Sequence, residues 1–262
     1  MESQFSRLER MIGQAGLSRL RRARVVIVGL GAVGGYAAEA LARFGVGSLR
    51  LVDFDRVRPS NLNRQLLALH STIGQSKARL AAARVRDINP DCDAQPLELF
   101  VHTDTLDQVL ASPVDLVLDA IDSFTPKLEL LSAALARRLP VLSCMGAALR
   151  TDPTAVRVGP LEHTIHCPLA RRMRKALRKR NLPLDLTCVH SVEPVHHLPP
   201  TAGVDGDDDQ ETLARGRLRR SLGSLPTLTG IFGLTLANEA VRTLLGGKIV
   251  DEKATSHRQF SL

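Results

Sequence analysis

Val25-Val26-Ile27-Val28-Gly29-Leu30-Gly31-Ala32-Val33-Gly34 is the stretch from which the fold of this 262-residue chain is read. Its first four residues are consecutive, β-branched and uniformly apolar, a run too short for an amphipathic helix. They read as a strand buried on both faces, as in a parallel sheet. The glycines follow with G-x-G-x-x-G spacing, and residues 36–44 continue in helix-forming residues. At this spacing Gly29 permits the tight turn, Gly31 lets backbone approach a phosphate, and Gly34 lets helix and strand pack closely. The N-terminus of such a helix presents unpaired N–H groups and a positive dipole end to an anion. Glycines also serve purely structural turns, but directly after a clear strand the pattern points to nucleotide binding.

Outward from this unit, strands and helices alternate. Strands are expected at 48–52, 94–99, 116–119 and 141–144, with helices at 76–88, 103–110 and 126–138. A helix over 5–20 precedes them, with Phe5, Leu8 and Ile12 at helical spacing. Alternation of this kind predicts an α/β fold, a Rossmann-like doubly wound and mostly parallel sheet. Beyond Gly146 the pattern changes. Residues 149–158 read as a hairpin around Asp152-Pro153, a basic helix follows, and strands are expected at 185–190 and 192–198. Residues 201–212 carry five acids (Asp205, Asp207, Asp208, Asp209, Glu211) and no hydrophobic run, the composition of a mobile loop. A long apolar helix over 225–245 is expected to pack back on the sheet. The division is a core over 1–159 with its N-terminal helix, and a segment over 160–262 that completes the same domain.

Composition narrows the function. Aromatic residues make up 3% of the chain and Trp is absent, which argues against base-stacking platforms of the single-strand-binding type. The formal charge is +8, and seven of the eight surplus cations lie in residues 171–180 (Arg171, Arg172, Arg174, Lys175, Arg178, Lys179, Arg180), which hold no acid. So local a cluster implies an anionic partner. Leu169, Met173 and Leu177 recur at helical spacing, so one stripe faces protein while cations fill the rest. Such a helix suits phosphate-backbone contact by Arg171, Arg174, Lys175, Arg178 and Lys179; a membrane surface or a solvated face are the other readings. Cys92, Cys144, Cys167 and Cys188 form no C-x-x-C pair, so zinc of the usual spacing is not expected. The charged N-terminus lacks the apolar core of a signal peptide, and the apolar stretch 228–241 is broken by Asn238 and Glu239, which disfavours a membrane span. A cytoplasmic setting fits these features.

Asp53 follows the glycine loop by about twenty residues, where a carboxylate takes ribose hydroxyls. The loop beyond it adds Asp55, Asn61, Asn63, Arg64 and Gln65, and Lys77 opens the next helix. A nicotinamide enzyme has no need of cations beside a triphosphate, whereas an ATP-dependent enzyme does, because charge builds on the leaving pyrophosphate. Asp119 either caps its turn or meets ligand. Asp122 stands further out, in the crevice where ligands bind in such sheets, with oxygen ligation suited to Mg²⁺. Cys188 reads as inert or as a nucleophile, and His190, His196 and His197 as structural or exposed.

Gly29-Leu30-Gly31-Ala32-Val33-Gly34, Asp53-Phe54-Asp55, Ser60-Asn61-Leu62-Asn63-Arg64-Gln65, Gly74-Gln75-Ser76-Lys77 and Asp119-Ala120-Ile121-Asp122 together resemble the adenylating domain of the HesA/MoeB/ThiF superfamily, prokaryotic relatives of ubiquitin-activating enzymes. The resemblance implies that Asp53 binds ribose, that Asn61, Arg64 and Lys77 bind the phosphates of ATP, and that Asp122 holds Mg²⁺. It also implies a homodimer in which Arg10 reaches ATP in the partner subunit; the family's Arg-aromatic pair just upstream stands here as Gln4-Phe5. Within the superfamily, Asp119 to Ser123, Pro168-Leu169-Ala170, Cys188 to Pro194, Leu222 to Pro226 and Thr229 to Gly233 look most like the tRNA threonylcarbamoyladenosine dehydratases. That implies adenylation of a carboxylate on a modified tRNA adenosine followed by ring closure, with tRNA as partner and a sulfur-transfer protein as a further candidate. Activation of a small sulfur-carrier protein is the alternative, against which the missing C-x-x-C pairs and the basic helix count.

Overall fold

A computed structural model describes residues 3–195, 222–247 and 249. Among these residues seven strands form one sheet: β1 (Arg24–Val28), β2 (Ser48–Val52), β3 (Asp93–Leu97), β4 (Leu116–Asp119), β5 (Val141–Cys144), β6 (Val156–Pro160) and β7 (Thr187–Ser191), in the order β3-β2-β1-β4-β5-β7-β6. All neighbours are parallel except the edge pair β6 and β7. β1 through β3 build outward on one side of β1, and β4 then returns to its other side. The order therefore reverses between β1 and β4, and the crevice at their carboxyl ends is the ligand position of an open parallel sheet.

The uniform apolar run of β1 is explained by packing on both faces. Val25 and Ile27 join one core with Leu49, Leu51, Leu116 and Leu118, while Val26 and Val28 join a second with Val117, Leu130 and Leu131. Helices α1 (Ser6–Arg22), α2 (Gly34–Arg43), α3 (Lys77–Ile88) and the late helix α7 (Pro226–Leu244) contribute to the first core. α4 (Leu106–Val109), α5 (Phe124–Ala136) and α6 (Pro168–Lys179) contribute to the second. α1 is two helical pieces joined at Gly13, whose φ of 70° only glycine adopts without strain. α7 returns to the sheet, lying against α2, β4, β5 and β7. Among the described residues no helix is long and apolar enough to cross a membrane.

Two expectations are corrected here. Residues 149–152 form no strand, so 149–158 is not a hairpin. The Asp152 carboxylate accepts the Thr154 N–H (2.8 Å) and caps a 3-10 turn over Pro153–Ala155. The Glu193 carboxylate takes the N–H groups of Thr151 and Asp152, the donors a partner strand would have used. β6 pairs instead with β7. Nor does a strand continue over 192–195; residues 196–198 and the acidic stretch 201–212 lie outside the described residues.

Candidate nucleotide site

The three glycines of the loop after β1 meet different surroundings. Gly29 has φ +89°, and a Cβ there would lie 2.9 Å from the Ala120 carbonyl oxygen. At Gly34, the first residue of α2, a Cβ would lie 1.7 Å from the Gly29 carbonyl oxygen, so helix and strand close only without a side chain. At Gly31 the nearest neighbour is the Gln65 side chain at 3.6 Å, and no backbone lies within contact distance. Gly31 thus keeps space clear above the loop. The Gln65 Oε1 beside it is buried without a hydrogen-bond partner among the described residues, an unmet acceptor in a place that is otherwise closely bonded.

β2 delivers Asp53 to the same end of the sheet. Its Oδ2 accepts the Leu30 N–H at 2.6 Å and its Oδ1 the Asp55 N–H at 2.8 Å. Burial pushes this carboxyl above its ordinary range, and the nearby Lys77 and the two N–H groups only partly counter it. Asp53 therefore ties the glycine loop to the β2 end. Lys77, at the N-terminus of α3 and 4% exposed, donates to Asp55 Oδ2 at 3.1 Å. Asn61 is buried, with its Oδ1 accepting the Arg58 N–H, and so shapes the loop over 58–65. Arg64 reaches back to the Ser60 carbonyl and Asn63 Oδ1, both at 2.8 Å.

β4 supplies the opposite wall. Asp119 is fully buried: its Oδ1 accepts the Ile121 N–H, and its Oδ2 meets Ser143 Oγ and Lys127 Nζ, each at 2.6 Å. Lys127 also donates to the Ile121 carbonyl at 3.0 Å and the Cys144 carbonyl at 2.7 Å. This ammonium, a residue that nothing in the helical pattern of α5 singles out, locks together the ends of β4 and β5 and the turn that carries Asp122. Asp119 belongs to that lock, and Asp122 is exposed beyond it. Arg10 is exposed on the first piece of α1. Cys188 is buried, and burial pushes its thiol up to about 12, so it is an inert side chain in this state.

Residues 4–262 match the model of the ThiF family. The chain belongs to the ThiF family. The tRNA threonylcarbamoyladenosine dehydratase of Bacillus subtilis is 37% identical over 94% of this chain and 96% of its own length. The protein of that name from Escherichia coli is 33% identical over 92% of this chain and 93% of its own. A solved structure of the E. coli dehydratase, TcdA, in complex with ATP superposes with a TM-score of 0.80 at 31% identity, covering 93% of this chain and 94% of that one.

In this ThiF-family chain the basic helix α6 flanks the Asp122 turn. Arg172 lies over the Phe124 ring, 4.2 Å from its centroid, and Arg180 pairs with Glu129 of α5 at 2.6 Å. Ala170, Met173 and Leu177 face inward; Leu169, expected in that stripe, is only partly buried. Arg171, Lys175, Arg178 and Lys179 are exposed. Arg174 is turned inward: its Nη1 donates to the Leu161 carbonyl (3.3 Å) and the Thr164 carbonyl (2.8 Å) and to Thr164 Oγ1.

Proposed function

We propose that this chain is an ATP-dependent tRNA threonylcarbamoyladenosine dehydratase. One observation carries the reading: a glycine loop kept clear at Gly31, with Gln65 beside it and Lys77 held on Asp55 at the adjoining strand end, stands at the point where the sheet order reverses, in a chain that matches dehydratases over nearly its whole length. The loop N–H groups and the start of α2 bind the phosphates of ATP, Asp53 and Asp55 order the ribose side, and Asn61, Arg64 and Lys77 neutralise charge on the departing pyrophosphate. The substrate carboxylate is already ionised at neutral pH. Its attack on the α-phosphorus therefore needs positioning and charge neutralisation more than a general base. Attack by the ureido group on the activated acyl carbon then releases AMP, and the net change in the nucleoside is loss of one water.

Asp122 is the candidate ligand for Mg²⁺, which supplies charge neutralisation on the phosphates when bound. Among the described residues no group of three His, Cys, Asp or Glu side chains is arranged to hold a metal by itself. An exposed carboxylate fits an ion whose remaining ligands are phosphate and water. The exposed cations of α6 hold the tRNA backbone beside the Asp122 turn, a homodimer brings Arg10 to the partner's site, and a tRNA substrate implies the cytoplasm. Residues 160–262 complete the domain begun by residues 1–159.

Nucleoside mass analysis of tRNA incubated with the protein and Mg-ATP tests the reading. Threonylcarbamoyladenosine is expected to lose one water with release of AMP and pyrophosphate. An unchanged nucleoside, with pyrophosphate exchange that depends on a small carrier protein instead, would overturn it.

A further inference from the structure

Arg150 is among the largest fully buried side chains, at 1% exposure, on the segment that leaves β5. Its Nη2 donates to the His166 carbonyl at 2.7 Å, but Nε and Nη1 are buried with no hydrogen-bond partner among the described residues. Nε carries one N–H and Nη1 two, so most of the donor fork is idle. A buried cation of structural purpose is ordinarily met by a carboxylate. The carboxylate at hand, Glu193, feels the Arg150 charge but makes its hydrogen bonds with the N–H groups of Thr151 and Asp152 and with Thr151 Oγ1. Arg157 and Arg174 share the neighbourhood, both acting with Arg150 on the buried His190. The residues framing the fork, Leu149 (φ 59°) and His166 (φ 52°), sit in the left-handed region that such side chains rarely adopt.

The place is informative as well. β5 is parallel to β4, so the segment after β5 leaves from the same carboxyl edge as the glycine loop and the Asp122 turn. Lys127 Nζ bridges the Ile121 and Cys144 carbonyls and holds those two strand ends together. We infer that the Arg150 fork is the receptor for the free carboxylate of the acyl substrate, on the same carboxyl edge of the sheet as the nucleotide crevice. A planar fork suits a carboxylate, and its burial suits a small group reaching in on a flexible arm. A nucleic-acid backbone phosphate belongs on exposed cations such as those of α6. The inference rests on the dehydratase reading.

Binding of tRNA carrying threonylcarbamoyladenosine as the free acid and as its methyl ester, with a non-hydrolysable ATP analogue present, tests it. Wild type is expected to prefer the acid roughly 10- to 100-fold, the range of a charge-assisted contact. In Arg150→Gln that preference falls to near unity while affinity for the ester is unchanged. An unchanged preference overturns the inference, and so does equal weakening of acid and ester, which assigns Arg150 to backbone phosphate or to the fold. Should Arg150→Gln fail to fold, Arg150→Met, which removes the charge and keeps much of the side-chain volume, is read against the same preference. Ring closure by wild type, followed by mass, separates the two levels. If it occurs and the preference survives substitution, the Arg150 assignment alone fails; if it never occurs, both fail.

Discussion

A methyl group at Gly34 would lie 1.7 Å from the Gly29 carbonyl oxygen, whereas one at Gly31 would meet only the Gln65 side chain at 3.6 Å. Two glycines three residues apart therefore answer to different constraints, and alanine separates them. Gly34→Ala must push α2 off β1 and should cost about 1–3 kcal/mol or more. Gly31→Ala should leave thermal unfolding within about 0.5 kcal/mol of wild type, yet weaken ATP binding at least tenfold by occupying the clear space. Calorimetric titration decides the second point; normal ATP affinity in Gly31→Ala means that no phosphate comes near that residue. The spacing of the loop announces both glycines. Lys127 and Arg150 announce nothing, because a lone basic residue in a helix or loop reads as surface. Their importance arises from which carbonyls the chain brings around them, and that is a tertiary fact.

At the scale of elements, β2, β4 and β5 begin and end where apolar runs meet turn residues, as expected from the sequence. Helix ends differ by up to three residues, most at α4, where 103–105 form a 3-10 turn, since helix ends are set by local hydrogen bonds that periodicity does not see. The hairpin expected over 149–158 fails for a related reason: Asp152 and Glu193 satisfy the backbone from side chains. Arg174 shows the same limit, because helical spacing places it on the basic face while Leu161 and Thr164 draw it inward. Replacing Arg171, Lys175, Arg178 and Lys179 with Gln should therefore weaken tRNA binding and lower its log–log salt slope by about 0.7 to 0.9 per lost contact, with ATP affinity unchanged. An unaltered slope would reduce α6 to a solvated face. Glu39 of α2 links that helix to α3 through Arg84 while also pairing with Arg43. Burial raises its pKa, but the two guanidinium groups together hold it below the ordinary 4.5. Its stabilisation is thus complete above that value and is lost as pH falls through the lowered one. Denaturation across pH 3 to 7 should show Glu39→Gln less stable at neutral pH, by under about 1 kcal/mol given the exposed arginines, and the deficit vanishing in acid.

For the whole molecule, the sharpest expectation concerns subunit number. Arg10 is exposed and precedes β1 by the length of the second α1 piece. A two-fold interface is self-complementary, so a homodimer holds two equivalent composite sites. Arg10→Ala and Lys77→Ala homodimers should both be nearly inactive. In a mixed dimer one site carries both lesions and the other neither, so subunit exchange should restore up to about half the activity per heterodimer. Verified exchange without recovered adenylation would place Arg10 in its own chain's chemistry or outside it.

The return of α7 to the first core also has a consequence for how the protein is made. A Cβ at Gly233 would lie 2.3 Å from the Val33 carbonyl oxygen, and Gly230 faces the Tyr36 ring, so α7 is moulded onto the start of α2. On the ribosome α2 emerges early and α7 late. Until α7 arrives, the apolar flank of the glycine-loop helix has no permanent cover, and the contact that closes it spans most of the chain, a slow kind to form. A chain still lacking α7 therefore shows apolar surface beside its glycine loop, the kind of surface through which nascent chains aggregate.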